Sequence, residues 1–263
     1  MIKFCSLFSG SSGNSIFIGT QRTKLLIDVG LSAKKIIEAL YSIGENPADI
    51  SAILVTHEHS DHIKGVGILS RKFKIPIYAN ELTWQAMEPE IGPICIENKM
   101  YFNADGEFEI NDIFIKAFPI PHDASAPVGY NFFIDNKKIT TATDIGHIDR
   151  RLLSCFDKSD LILLESNHDV EMLKVGPYPW FLKKRILGEM GHLCNEMAGK
   201  VVAYMAENGT KRFLLGHLSR ENNFPELAYQ TVFNALTEKK IGVGTDVTLE
   251  VASRDRAGRI IEL

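Results

Sequence analysis

The sequence predicts an α/β protein built from two β-sheets flanked by helices. Three observations carry this reading. Short apolar runs rich in Ile, Val, Leu and Phe recur along the 263 residues. Helix-like stretches cluster between groups of those runs. Several runs end on a His, Asp or Asn, as expected where loops at one end of a sheet build a site.

Taken in order, IKFCSLF and SIFIG flank SGSSGNS, read as a tight hairpin turn in which Gly and Asn tolerate positive φ, with a backbone anion site as the alternative. KLLIDVG, AILVTH and IPIYAN are the next strand-like runs, then FEINDIFIKAFPI, YNFFIDN, KITTATD, LILLES, RFLLGH and VTLEVA. Among the helices, SAKKIIEALYSIG opens with Ser32 as cap and places Ile36, Ile37, Leu40 and Ile43 on one face. Residues 62–73, 80–88 and 178–189 are expected to be helical. So are NEMAGKVVAYMAENG, which ends at Gly209, and PELAYQTVFNALTEKK, with Pro225 in its first turn.

Composition bounds the function. With 45% hydrophobic and 24% charged residues, the balance is that of a soluble globular protein, long enough for one large domain or two small ones. The formal charge of −4 does not mark a nucleic-acid binder, although a local basic patch stays open. No apolar run approaches the ~20 residues of a membrane span, and the first residues lack a signal peptide's apolar core. Cys5, Cys95, Cys155 and Cys194 are scattered without a CxxC pair, which reads as reduced thiols in a cytoplasmic protein.

The densest chemistry is VTHEHSDH at 55–62. His57 and His59 are two apart, so an extended segment projects both the same way onto one ion. Asp61 and His62 follow at a turn and can face a second. Imidazole and carboxylate suit zinc, manganese or iron without any thiolate. The remaining donors are expected at distant strand ends: Asp28, His122, Asp144, Asn167, His168 and His217 each follow an apolar run. Asp144 is the best candidate to bridge two ions, since a carboxylate has two oxygens.

HEHSDH matches the H-x-H-x-D-H motif of the metallo-β-lactamase-fold hydrolases, and His122, Asp144 and His217 follow in the order of that family's later motifs. The resemblance implies a single domain over 1–263, a four-layer αββα sandwich, with a dinuclear site. By it, His57, His59 and His122 hold one ion, Asp61, His62 and His217 the other, and Asp144 bridges. Two divalent metals are implied, zinc first, with manganese, iron or nickel as alternatives. Asp28 then braces the histidine loop by hydrogen bonding.

A narrower resemblance rests on SGSSGNS, TATDIGH, LLESNHD, YPWFLKKRILGEMGHLCNEMA and LLGHLSRENN. These look like the bacterial YycJ/WalJ-type family, regarded as metal-dependent 5′-to-3′ DNA exonucleases. The implied mechanism is in-line attack on phosphorus by a metal-bridging hydroxide, with Asp61 and His192 as catalytic candidates and DNA as the partner. Cys194 departs from the pattern, which commonly has Ser there. His192 resembles the His of the GHLT loop in related phosphodiesterases, which serves the phosphate or leaving group; a structural or accessory-ligand role stays open. His168 and Asn167 are candidate substrate contacts, with capping or packing as the alternative. Lys184, in LKKR, is a candidate phosphate contact or a solvated charge. Trp84 and Trp180 are expected to pack, with stacking on a base as the alternative for Trp180, and His147 is expected to be structural. Two other functions stay open: a thioester hydrolase of glyoxalase II type, and a metal-bound regulatory protein without turnover.

Overall fold

The computed structural model describes residues 1–263. The chain divides into two compact units, the first comprising Met1–Pro119, Ala124–Val128 and Ser253–Leu263, the second Ile120–Asp123 and Gly129–Ala252.

The first unit contains β1 (Lys3–Phe8), β2 (Ser15–Gly19), β3 (Lys24–Ile27), α1 (Ala33–Ser42), β4 (Ala52–Leu54), α2 (Ser60–Ile63), α3 (Val66–Phe73), β5 (Ile77–Asn80), α4 (Glu81–Ile91), β6 (Lys99–Phe102), β7 (Glu107–Ile110), β8 (Ile113–Pro119) and, from the far end of the chain, β14 (Ile261–Glu262). Its seven-stranded sheet runs β14-β1-β2-β3-β4-β5-β6. Pairing is antiparallel from β14 to β3 and parallel from β3 to β6. β7 and β8 form an antiparallel hairpin whose turn residue Asn111 takes φ +54°. The core under the sheet holds Leu7, Phe17, Leu26, Ile53, Val66, Trp84 and the inner face of α1, where Ile36 and Leu40 are fully buried. Ser32 caps α1 by accepting from the Lys35 amide.

The expected helix over 62–73 is broken in two. Gly65 sits between α2 and α3 with its α-carbon against the β3 exit loop, and a Cβ there would approach the Leu31 carbonyl to 2.3 Å. Gly30 is tighter still, since a Cβ would meet the Asp61 carbonyl at 1.7 Å. Three segments thus run backbone against backbone. Asn14 donates to Asp61 O, Val29 to His62 O and Gly30 to Asn14 O, each at 2.8 Å.

The second unit contains β9 (Val128–Ile134), β10 (Lys137–Ala142), α5 (Arg150–Phe156), β11 (Leu161–Glu165), α6 (Val170–Val175), α7 (Trp180–Leu187), α8 (Asn195–Glu207), β12 (Arg212–Gly216), α9 (Pro225–Glu238) and β13 (Thr248–Val251). The strands follow β13-β12-β11-β10-β9, parallel from β13 to β10, with β9 antiparallel to β10. β11 is buried along its whole length, as expected for a strand of a covered parallel sheet.

Asp28, Asp144 and His217 follow β3, β10 and β12, and all three adopt left-handed backbone, with φ of +59°, +61° and +56°. A non-glycine residue avoids this region unless its surroundings hold it there. No helix is long and apolar enough to cross a membrane, and the cysteines form no disulfide.

Candidate metal centre

In the first unit, β3 and β4 are parallel neighbours, so the residues after their C-terminal ends meet. Asp28 Oδ1 accepts from the Thr56 amide, and Oδ2 accepts from the Thr56 hydroxyl and from His62 Nδ1, all at 2.8 Å. The single Thr56 hydroxyl proton is spent on Asp28, so that hydroxyl accepts from His57 Nδ1 at 3.0 Å. One carboxylate therefore fixes the tautomer of two imidazoles, directly and through Thr56. Their Nε2 atoms are left as lone-pair donors. His57 Nε2 lies 3.1 Å from His59 Nδ1, and the His57 and His62 ring centroids are 4.0 Å apart. Asn14, from the Gly-rich turn after β1, places its amide 3.1 Å from His62 Nε2 and 3.5 Å from Asp61 Oδ2.

In the second unit, His122 Nδ1 donates to Gly191 O at 3.1 Å. Burial holds the His122 imidazolium unfavourable, against the raising pull of Asp144, and favours the neutral form that a ligand needs. Asp144 Oδ1 stands 3.5 Å from His217 Nε2 and 3.8 Å from both His122 Nε2 and His192 Nδ1.

Glu165, the last residue of β11, organises this cluster, and the sequence reading missed it. Its Oε1 accepts from His217 Nδ1 at 2.7 Å and from His192 Nδ1 at 2.8 Å. Its Oε2 accepts from the amides of Ile145 at 2.7 Å and Leu193 at 3.1 Å. Burial alone would raise its pKa; the His192 and His217 imidazoles more than offset this and hold the carboxyl well below the usual range. Asp144, Glu165, His192 and His217 offer donor atoms all within 4.8 Å of one another. A buried set of imidazoles and carboxylates, with Nδ1 atoms braced by oxygen acceptors, has the chemistry of a divalent-metal site.

Asn167 is buried; its side-chain amide donates to His217 O, and its main chain bonds Leu193 and Ser219, which ties both histidine loops together. His168 is buried beside Cys194, its ring nitrogens lack hydrogen-bond partners, and burial lowers its pKa to about 4. His147 is exposed and bonds Glu189 O. Cys194 is the N-cap of α8 and makes no side-chain capping bond. The LKKR charges are dispersed: Lys183 is buried and donates to Lys174 O at 2.7 Å, Arg185 forks onto Asp123, and Lys184 remains exposed. Trp84 is buried as expected, but Trp180 is 68% exposed, because it opens α7 outside the face formed by Lys183 and Ile186.

The chain matches the model of the β-lactamase superfamily domain over residues 23–218. Zinc-bound PqqB from Methylobacterium extorquens shares its fold with a TM-score of 0.72 at 15% identity over the whole of both chains. YhfI of Bacillus subtilis, a metallo-β-lactamase fold protein, gives 0.70 at 13% identity over 98% of each chain. The fold is thus the metallo-β-lactamase αββα sandwich, two mixed sheets flanked by helices. Among curated proteins, the chain is 45% identical over 263 residues to a Streptococcus pneumoniae protein named exodeoxyribonuclease WalJ, covering 99% of this chain and 98% of that one. It is 46% identical over 244 residues to a Bacillus anthracis protein named exodeoxyribonuclease YycJ, covering 92% of each. The chain belongs to the β-lactamase superfamily and, within it, to the WalJ/YycJ family.

Proposed function

We propose that the protein is a metal-dependent phosphodiesterase that degrades DNA from the 5′ end in the cytoplasm. Residues 1–263 act as one domain in this proposal. His57, His59 and His122 would hold one divalent ion, Asp61, His62 and His217 a second, and Asp144 would serve both. Zinc is the first choice and manganese the second. When bound, the ions supply Lewis acidity toward the phosphoryl oxygens and lower the pKa of water toward neutrality.

The protein's own groups supply the rest. Asp61, 25% exposed and within reach of the Asn14 amide, takes a proton from the attacking water. Asp28 and Glu165 hold the ligand tautomers. His192 donates Nδ1–H to Glu165, and as the imidazolium that this carboxylate can stabilise it passes its Nε2 proton to the departing oxygen.

The Glu165–His192 hydrogen bond carries this reading. A proton donor oriented by a buried carboxylate serves a poor alkoxide leaving group, whereas a thiolate leaves without one and a regulatory metal protein needs none. The names of the full-length relatives support the same choice. A panel of 5′-phosphorylated DNA, RNA, bis(p-nitrophenyl) phosphate and a glutathione thioester, with zinc or manganese, tests it. DNA and the diester should be cleaved in a chelator-sensitive way. Turnover of the thioester alone would replace the proposal with a glyoxalase II-type activity.

A further inference from the structure

α7 presents two aromatic rings to solvent without apolar cover. Trp180 is 68% and Phe181 74% exposed. Pro177 and Pro179 precede them, and Pro179 is the helix N-cap with φ −63°, so the rings start from a stiff backbone. Trp180 and Lys184 stand four residues apart on the helix and share one stripe. Lys184 is the one basic side chain of LKKR not engaged within the fold, since Lys183 caps the Lys174 carbonyl and Arg185 pairs with Asp123.

The same helix is tied to the His122 and His192 loops of the second unit. Arg185 fastens it to the residue after His122, and Ile186 O accepts the amide of His192 at 3.0 Å. Six residues separate Trp180 from Ile186, about 9 Å along the axis at the α-helical rise. That reach corresponds to two or three nucleotides of an unpaired strand whose terminal phosphodiester sits at His192.

We propose that Trp180 and Phe181 form a stacking platform for the bases of a single-stranded nucleic acid, with Lys184 on its phosphate backbone. The inference rests on the nuclease reading above. Aromatic rings stack on any base, and one lysine nearby supplies sequence-independent attraction.

Binding is read with the chelated, non-cleaving protein and a twelve-residue oligo-deoxythymidine. Trp84 is buried, so Trp180 is the reporter of fluorescence quenching. Trp180→Phe should lose the quench and keep the affinity by anisotropy. Trp180→Ala and Phe181→Ala should each weaken binding about tenfold, and Lys184→Ala should reduce the salt slope by about one. With manganese, the double alanine variant should raise KM on the oligonucleotide and leave bis(p-nitrophenyl) phosphate hydrolysis unchanged, because that diester has no bases to stack. Unchanged affinity and KM in the double variant, with wild-type DNA cleavage intact, would overturn the platform while sparing the nuclease. A shift in sedimentation from dimer to monomer with unaltered oligonucleotide binding would reassign the rings to contact between copies. A wild-type protein that neither binds nor cleaves DNA would overturn both.

Discussion

Glu165 accepts a hydrogen bond from His192 Nδ1 at 2.8 Å. The acceptor is fully buried and saturated by four donors, while the imidazole is 20% exposed. One carboxylate therefore orients a candidate proton donor and, through His217, a candidate metal ligand.

Glu165→Gln should damage both functions. The amide accepts at only one atom, so either both imidazole N–H groups or the two backbone amides are left facing an NH₂ group. Metal affinity should fall about 10–100-fold, the usual cost of removing a ligand's hydrogen-bond partner. Competition with a chromophoric chelator measures it, and unaltered affinity would show that His217 is held by its backbone alone.

His192→Ala separates chemistry from metal binding. Both metals should remain, and kcat on DNA should fall about 10²–10⁴-fold. The defect should shrink on bis(p-nitrophenyl) phosphate, whose leaving group needs little protonation. Equal losses on both substrates would move His192 from the leaving group to the phosphate.

Much of each cluster is legible in the sequence because, within each sheet, parallel strands deliver their C-terminal residues to the same edge. Asp28, His57, Asp144 and His217 are visible as polar residues closing apolar runs. Glu165 is not, because in LILLES it reads as the solvent-facing exit of a strand, and only the two imidazoles and two amides around it make its burial tolerable. Gly65 interrupts a helix for a tertiary reason, the passage of the Leu31 backbone, that no local pattern encodes. β6, with sequence KMYF, lacks alternation, and α5 and α6 span only 7 and 6 residues, too short for a periodicity to register. The LKKR run looks like one basic patch until Lys174 O and Asp123 each claim a member.

Acid stability should depend on Glu45, which lies 2.8 Å from both Lys3 and Lys24. Burial would raise its pKa, but the hydrogen bonds and charges of Lys24 and Lys3 outweigh it, and the folded value is lowered. A depressed folded pKa means the contribution is complete above the unfolded carboxylate range and is lost as pH falls through the folded value. Urea midpoints for wild type and Glu45→Gln should differ at pH 7 and converge toward pH 3. A constant gap would place the effect in packing.

Cys194→Ser should stabilise the protein. The Cys side chain makes no capping bond to α8, whereas a serine hydroxyl can accept from the first turn. The expected gain is about 1 kcal/mol, read as a Tm rise of roughly 2–4 °C for a chain near this size. A fall in Tm would indicate that the partly buried thiol contributes more by packing than a hydroxyl does by capping.

The most direct test follows nucleotide release over time from single-stranded DNA carrying a 5′-phosphate and a 3′ label, with manganese-loaded wild type and Asp144→Ala. Wild type should release mononucleotides from the 5′ end while the labelled strand shortens stepwise, chelator should stop the reaction, and Asp144→Ala should lose activity together with metal. Retention of two metals and full activity by Asp144→Ala, or no release by metal-loaded wild type, would contradict the account.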